Sequence, residues 1–208
     1  MIKERIIKES CILFVRYSIK TTMDEVAKQL GISKRTIYEN FKDKTELVTE
    51  CTEYIAESAH CIIIDIFKKA ENVLIAILQL LYQQNVHGKY NLKYMVELRR
   101  YYPDIYKNHL LKYHDKKQKG REELMRKGIE EGVFRNDINI TLTSFMFSEQ
   151  ANLIFSEQFE KFNDDIGATL DYFNENDIFK DIAITHIRGI STPKGIEILE
   201  EYIKRFKK

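Results

Sequence analysis

The scarcity of helix-breaking residues is the feature that most restricts how this chain can fold. Its 208 residues include only 8 glycines and 2 prolines. Gly and Pro mark most turns and loops, so this shortage favours long helices over a turn-rich β fold. Hydrophobic residues make up 44% of the chain and charged residues 31%, a balance that is typical of a globular protein and argues against disorder. We therefore predict an all-α chain, long enough for one small and one larger domain.

Signals that start and stop helices are concentrated in the first fifty residues. Thr22 and Glu25 have the spacing of a capping box, in which each side chain accepts a hydrogen bond from the backbone N–H of the other residue. The helix that they begin is expected to end at Gly31, because Gly readily takes the left-handed conformation found at helix ends. Ser33 is a favoured cap for the next helix, and Asp43 for the one after it. Such closely spaced caps predict a small helical head.

Longer helices are predicted for the rest of the chain. Pro103 is expected to begin a helix, since proline fits a first turn but not a helix interior. Gly128 and Gly132 bracket a helix end, and Thr192 is expected to cap the last helix. The complete set of predicted helices covers residues 2–18, 23–30, 34–40, 44–69, 71–87, 91–101, 104–118, 119–131, 140–161, 177–189 and 194–206.

Two neighbouring helices of the head have the pattern of a helix-turn-helix, in which the second helix lies in the major groove of DNA. Gly31 allows the tight turn between them, and Ile37 and Phe41 give the groove helix an apolar back. Its first N–H groups can meet a phosphate, where the helix dipole also favours negative charge. Its polar front is formed by Lys34, Arg35, Thr36 and Tyr38, and Lys44 could hold the flanking DNA backbone.

The distribution of charge fits an anionic partner at the head. Residues 1–48 contain ten Lys and Arg against seven Asp and Glu, a net charge of +3. The remaining residues contain 23 basic and 25 acidic side chains, a net charge of −2. A basic head on a slightly acidic body is consistent with nucleic-acid binding, although an isolated basic patch is more often only a solvated face.

The run TMDEVAKQLGISKRTIYENFKDKTEL, residues 22–47, closely resembles the DNA-binding head of the TetR-type repressor family. The Gly-Ile-Ser turn, the Thr-Ile-Tyr-x-x-Phe run and the following Lys-x-Glu-Leu are all in register. The close resemblance covers about residues 2–50. One departure is Ser18, which stands where the family usually has Gly between the first two helices.

This resemblance implies an N-terminal three-helix helix-turn-helix domain at residues 1–48 and a larger helical ligand-binding and dimerisation domain at residues 49–208. It also implies a homodimer whose two heads read a palindromic operator in double-stranded DNA. Lys34, Arg35 and Thr36 are the best placed to reach base edges, where Lys or Arg to guanine is the commonest specific contact. Contacts to the DNA backbone are implied for Thr22, Ser33, Thr36, Tyr38 and Lys44.

Aromatic residues are abundant in the predicted body. By resemblance to the family, this region encloses a pocket for a small-molecule effector, and tyrosines suit it because each combines an apolar face with one hydroxyl. The simpler interpretation is that most of these rings are ordinary core residues. The candidate pocket residues are Tyr54, Phe67, Tyr82, Tyr94, Leu98, Tyr101, Tyr102 and Phe147.

Two late helices carry apolar stripes that suit dimerisation. In the family, two such helices from each chain form a four-helix bundle, which twofold symmetry closes. The candidate interface residues are Leu142, Phe145, Leu153, Ile178, Ile182 and Ile187.

Other classes of protein find little support in the sequence. A Gly-rich phosphate loop, a Gly-x-Ser-x-Gly motif and a plausible Cys–His site are all missing, so no enzyme and no catalytic residue is expected. The histidines lack partners at metal-binding spacing, so neither a metal nor a cofactor is expected. Because the sequence has no signal peptide and no apolar run long enough to span a membrane, we expect a cytoplasmic protein with no membrane partner. The three cysteines, Cys11, Cys51 and Cys61, are expected to be buried reduced thiols.

The function predicted from the sequence is therefore that of a sequence-specific transcription regulator. The preferred form is a ligand-responsive repressor that acts as a homodimer on a palindromic operator. The alternative is an architectural or interaction protein of the same fold that binds DNA without a small-molecule effector.

Overall fold

A computed structural model describes the backbone of residues 2–154 and 175–206. Within these ranges it describes every side chain except those of residues 82–93, 150–154, 175–179 and 206. Three predicted positions, Tyr82, Leu153 and Ile178, therefore have side chains outside the described residues.

The described residues form an all-α fold with nine helices. They are α1 (Ile2–Arg16), α2 (Met23–Leu30), α3 (Lys34–Tyr38), α4 (Lys44–Lys69), α5 (Val73–Tyr101), α6 (Pro103–Glu130), α7 (Ile140–Ile154), α8 (Glu175–Ile190) and α9 (Pro193–Phe206). Extended backbone pairs at only one point among these residues, an isolated bridge between Phe134 and Ser191. The predicted fold class, a helix-turn-helix head with further C-terminal helices, is confirmed.

The middle of the chain forms fewer and longer helices than predicted. The separate helices expected at 71–87 and 91–101 are one helix, α5, and those at 104–118 and 119–131 are also one, α6. Gly88 and Gly120 lie inside these helices, where a glycine costs only about 1 kcal/mol relative to alanine and is easily outweighed by packing. The predicted start at Pro103 is confirmed.

Two other predicted boundaries are confirmed by local geometry. Gly132 follows α6 with φ of 70°, and the N–H groups of Val133 and Phe134 both donate to the carbonyl of Gly128, at 2.9 and 3.0 Å. Gly128 has no Cβ, which leaves room for the Phe134 ring against it. At the last helix, the Thr192 hydroxyl accepts a hydrogen bond of 3.1 Å from the Gly195 N–H, so Thr192 caps α9 as predicted.

The chain divides into two compact units. The first contains Met1–Ile64 and His87–Tyr113, and the second contains Asp65–Val86 and His114–Lys208. The division falls within α4, α5 and α6, whereas the functional boundary at residue 48 stays a prediction.

The first unit has its own hydrophobic core, in which helices of the predicted head pack with the second half of α5. Tyr94 and Leu98 of α5 are fully buried in it. The Tyr94 hydroxyl lies 2.8 Å from Oγ1 of Thr52, a buried residue of α4. The other buried members are Ile6, Cys11, Leu13, Phe14, Ile19, Met23, Val26, Ala27, Leu30, Ile37, Phe41, Leu47, Val48 and Cys51.

A polar contact in the same unit joins α4 to the first turns of α6. The Glu53 carboxylate accepts hydrogen bonds from Lys112 Nζ at 2.5 Å and from the Tyr113 hydroxyl at 2.7 Å. Burial of Glu53 acts to raise its pKa, but these two hydrogen bonds outweigh burial and hold the pKa below its usual value. The charged form of Glu53 is therefore favoured by folding.

The second unit has a separate core around α5, α8 and α9. Its fully buried residues include Val73, Leu74, Leu78, Val133, Phe134, Ile187 and Leu199. Because Ile187 lies inside this core, it offers little surface to a partner chain. Phe67 and Phe147 are half-buried at its edge.

The three cysteines differ in exposure. Cys11 and Cys51 are buried as predicted, and Sγ of each lies 3.6 Å from a backbone carbonyl, that of Cys51 and Ile7 respectively. Burial raises the pKa of the Cys51 thiol, so it stays protonated and unreactive. Cys61 is exposed on α4, so the prediction of burial is wrong for this residue.

Candidate nucleic-acid interface

The start of α2 has the capping box predicted from its sequence. The Glu25 N–H donates to the Thr22 hydroxyl at 3.2 Å, and the Thr22 N–H donates to Glu25 Oε2 at 2.7 Å. These hydrogen bonds hold the pKa of Glu25 below its usual value. The helix ends at Gly31, whose φ of 65° is left-handed, and the Ile32 N–H bonds back to the Ala27 carbonyl at 3.1 Å.

The third helix, α3, begins at a second cap. The Ser33 hydroxyl accepts from the Thr36 N–H at 3.0 Å and lies 2.8 Å from Thr36 Oγ1. α-Helical geometry ends at Tyr38, two residues before the predicted end at Asn40. The Asn40 N–H instead bonds to the carbonyl of Ile37, three residues back, at 3.0 Å, which is the tighter turn common at helix ends.

The two faces of α3 differ as predicted. Ile37 and Phe41 are fully buried in the first core, so α3 has a fixed apolar back. Tyr38 is 46% exposed, and Lys34 and Arg35 are also exposed. The front of α3 is therefore accessible to a large partner such as DNA.

Acidic neighbours hold the two basic residues of α3. Lys34 Nζ lies 2.7 Å from Asp24 Oδ1 on α2, and hydrogen bonding to Asp24 raises the pKa of Lys34. Arg35 Nε lies 2.9 Å from Glu39 Oε1 one turn along the chain. Exposed ion pairs of this kind contribute little to stability, so both cations can exchange their carboxylates for a phosphate or a base edge.

Lys44 lies at the start of α4, next to the other candidate DNA contacts in the chain. Asp43 caps this helix by accepting from the Glu46 N–H at 2.9 Å, as predicted. The Lys44 stem is half-buried and its ammonium lies 5.9 Å from the centroid of the Phe14 ring. Burial lowers the pKa of Lys44, so an anion bound there would favour its charged form.

Three contacts brace α1 and the connection that follows it. Arg5 Nη2 donates to the carbonyl of Leu30 at 3.2 Å, and Lys3 pairs with Glu50 at 3.0 Å. Glu97 of α5 accepts hydrogen bonds from Ser18 and Ile19. Glu97 could not be predicted from the sequence, because it lies almost eighty residues from its partners and no local pattern marks it.

The structure divides the candidate pocket residues between the two units. In the first unit, Tyr94 and Leu98 are core residues, Tyr102 is half-buried, and Tyr54 and Tyr101 are exposed. In the second, Phe147 lies edge-on to His186 with ring centroids 5.5 Å apart, and Phe67 packs at the edge of the core. A shared ligand pocket for these residues stays a prediction.

The candidate dimer residues also differ in exposure. Leu142 and Phe145 of α7 are 52% and 50% exposed, and Met146 beside them is 46% exposed. Ile182 is half-buried and Ile187 fully buried. The first two have apolar surface to give to a partner, and their role at an interface stays a prediction.

The comparison with protein families agrees with the geometry of the head. Residues 6–51 match the family model described as bacterial regulatory proteins, tetR family. The head is of the TetR type. The match covers all of the helix-turn-helix and extends from α1 into α4.

Solved structures extend the TetR-type fold over most of the chain. The match to a TetR-family regulator from Agrobacterium tumefaciens covers 91% of this chain and 97% of that protein, with a TM-score of 0.68 at 12% identity. A regulator from Saccharomonospora viridis, solved with choline, covers 91% and 97%, with a TM-score of 0.69 at 16% identity. A gamma-butyrolactone receptor described as ArpA-like covers 99% and 98%, with a TM-score of 0.64 at 14% identity. Such low identities show the fold, and no curated protein matches the chain.

The part of the chain that the structure describes contains neither a helix suited to a membrane nor a cluster suited to a metal ion. No described helix combines the length and apolar character that a membrane span requires. Among the described side chains, no group of three or more His, Cys, Asp or Glu is arranged to hold a metal ion.

Proposed function

We propose that this protein is a transcription regulator that binds a palindromic operator as a homodimer and releases it when a small molecule binds. It acts in the cytoplasm, where bacterial operators lie. The exposed polar front of α3, held on a buried apolar back, carries the proposal, because this is the arrangement that a groove-reading helix needs.

The roles of individual residues follow from their position on α3 and its flanks. Lys34, Arg35 and Thr36 are proposed to reach base edges in the major groove. Tyr38 and Lys44 are proposed to hold the DNA backbone, together with Thr22 and Ser33, whose N–H groups and hydroxyls lie at helix starts. Lys34 and Arg35 can leave their exposed carboxylate partners for base edges without leaving a buried charge behind.

Two observations support a homodimer with an effector. The apolar residues Leu142, Phe145 and Met146 are about half exposed on α7, which is unusual for a cluster that water alone covers. One protein of similar fold was solved with choline, and another is a gamma-butyrolactone receptor. The effector of this chain is proposed to bind the second unit and to favour a dimer in which the two heads do not match successive grooves, about 34 Å apart.

One observation favours the alternative, a DNA-binding protein of the same fold without an effector. Tyr94 and Leu98, two candidate pocket residues, are packed in the core of the first unit. The two versions differ in whether any small molecule changes the affinity of the purified protein for its operator.

Selection of bound duplexes from a random DNA pool tests the proposal. The unmutated protein is expected to enrich a palindrome. Tyr38→Ala is expected to weaken binding to every enriched sequence, whereas Arg35→Ala is expected to relax the sequence preference at one position in each half-site. An exposed basic residue of α6, Arg126, offers a matched control, since Arg126→Ala should leave the selection unchanged. Failure of the unmutated protein to enrich any sequence at moderate salt would overturn the assignment.

A further inference from the structure

One face of α5 packs into the first unit, which contains the predicted DNA-binding head. Tyr94, Glu97, Leu98 and Tyr101 follow the i, i+3, i+4, i+7 spacing of a single helix face. Tyr94 and Leu98 are fully buried in the first core, where the Tyr94 hydroxyl meets Thr52. Glu97 and Tyr101 reach the connection between α1 and α2 instead.

Glu97 makes two hydrogen bonds to that connection through one carboxylate oxygen. Its Oε2 accepts from the Ser18 hydroxyl at 3.0 Å and from the Ile19 N–H at 2.8 Å. Because the acceptor is ionised, these bonds are stronger than neutral ones. Ile19 is fully buried, so loss of the carboxylate leaves its N–H without this acceptor and costs the desolvation of that group.

Ser18, which donates to Glu97, also accepts hydrogen bonds from the next residues of the connection. Its carbonyl accepts from the Thr21 N–H at 3.1 Å and from the Thr21 hydroxyl at 2.8 Å. Its own hydroxyl accepts from the Lys20 N–H at 3.1 Å. The next residue after this network is Thr22, the cap of α2.

Lys20 adds a second contact to the same helix face. Its ammonium lies 4.6 Å from the centroid of the Tyr101 ring. Tyr101 is four residues beyond Glu97, so both contacts come from one side of α5. The start of the helix-turn-helix is therefore held by α5 at two successive turns.

We propose that Glu97 is a positioning residue for DNA binding, which couples the place of α5 to the start of α2 and so to the presentation of α3. Hydrogen bonds weaken steeply with distance and angle, so a small displacement of α5 breaks both Glu97 contacts together. A ligand or partner that displaces α5 thereby lowers the affinity for DNA. This inference rests on the proposed function.

The direction in which the loss of Glu97 changes the affinity for DNA distinguishes a positioning role from a purely electrostatic one. Glu97 is negative, and removal of a negative charge by itself strengthens attraction to phosphates. Loss of a positioning contact weakens DNA binding instead. Glu57 provides the matched control, because it is an exposed glutamate on α4 of the same unit.

The test measures binding of the full-length protein to a duplex recovered from the random pool. Glu97→Ala is expected to raise Kd about tenfold or more, equivalent to about 1.4 kcal/mol. Glu97→Gln keeps an oxygen that can accept both hydrogen bonds and is expected to recover most of the affinity. Glu57→Ala is expected to leave Kd unchanged or slightly lower. Equal affinity for the unmutated protein and Glu97→Ala would overturn the proposal.

Amide hydrogen exchange on the DNA-free protein provides the second readout. Glu97→Ala is expected to accelerate exchange at Ile19 more than at buried amides of α4. If Glu97→Gln lost as much affinity as Glu97→Ala while its melting temperature was unchanged, the hydrogen-bond account would be wrong. If the unmutated protein bound no duplex, the proposed function would fail with it, whereas failure at Glu97 alone leaves the proposed function intact.

Discussion

Two helices of this protein carry similar apolar residues and expose them very differently. Ile37 of α3 and Phe41 just after it are completely covered within the chain. Leu142 and Phe145 of α7 are about half exposed. Both pairs consist of one aliphatic residue and one phenylalanine, so the difference in exposure is set by the parts of the chain that pack against them. The back of α3 is closed by the first core, whereas α7 keeps an apolar surface that another molecule could cover.

The largest expected effect is on the covered side of this comparison. Phe41→Ala should lower the free energy of unfolding by about 3–5 kcal/mol, because it removes a buried ring and leaves a cavity. Urea denaturation of the full chain measures it. Phe145→Ala, tested at low protein concentration, should cost far less, and equal losses for the two variants would mean that Phe145 is as buried as Phe41.

The next largest effect is expected at the half-exposed apolar residues of α7. If α7 forms the proposed homodimer interface, Phe145→Asp should raise the dimer dissociation constant about thirtyfold or more, since truncating a central interface aromatic commonly costs 2 kcal/mol or more. Sedimentation velocity over a concentration series measures the change, and helical content by circular dichroism should stay the same. A variant that remained as dimeric as the unmutated protein would place the interface elsewhere.

A smaller effect is expected at the cap that leads into the covered helices. Thr22→Ala should cost about 1 kcal/mol, because the Glu25 N–H loses its acceptor at the start of α2. Thr49 is an exposed threonine inside α4, and Thr49→Ala serves as the control. A loss no larger than that of Thr49→Ala would show that the capping box does not stabilise the head.

The smallest effect depends on pH and concerns the contact of α4 with α6. Folding lowers the pKa of Glu53, so its contribution to stability is present above the unfolded pKa, about 4.3, and is lost as pH falls through the folded value. Glu53→Gln should therefore have a lower free energy of unfolding than the unmutated protein at pH 7. The difference between the two proteins should become smaller below pH of about 4. If this difference in stability became larger in acid, folding would raise the pKa of Glu53 and not lower it. Glu57→Gln, at an exposed glutamate of the same helix, serves as the control.

What could be predicted from the sequence depended on the distance between interacting residues. Thr22, Ser33, Gly31 and Asp43 act within three or four positions of their partners, so the helices of the head followed from local chemistry. The continuity of α5 could not be read in the same way, because a glycine such as Gly88 signals a break, yet its local cost of about 1 kcal/mol does not by itself end a helix.

Long-range contacts explain the rest of the difference. Tyr94 has the amphipathic character of a pocket residue, and only its contact with Thr52, 42 positions earlier, shows that it belongs to the core of the first unit. Glu97 carries no local signal at all. Burial on α7 and α8 is likewise set by what lies against them, which is why Phe145 and Ile187 read alike in sequence and differ in exposure.

The unequal exposure of the cysteines makes the protein ready for spectroscopic labelling. Cys11 and Cys51 are shielded inside the first core, while Cys61 faces solvent on α4. A thiol-reactive spin label or fluorophore should therefore attach at one position per chain without any engineered substitution. In a homodimer, two such labels would report the separation of the two α4 helices directly, with and without DNA or a candidate effector.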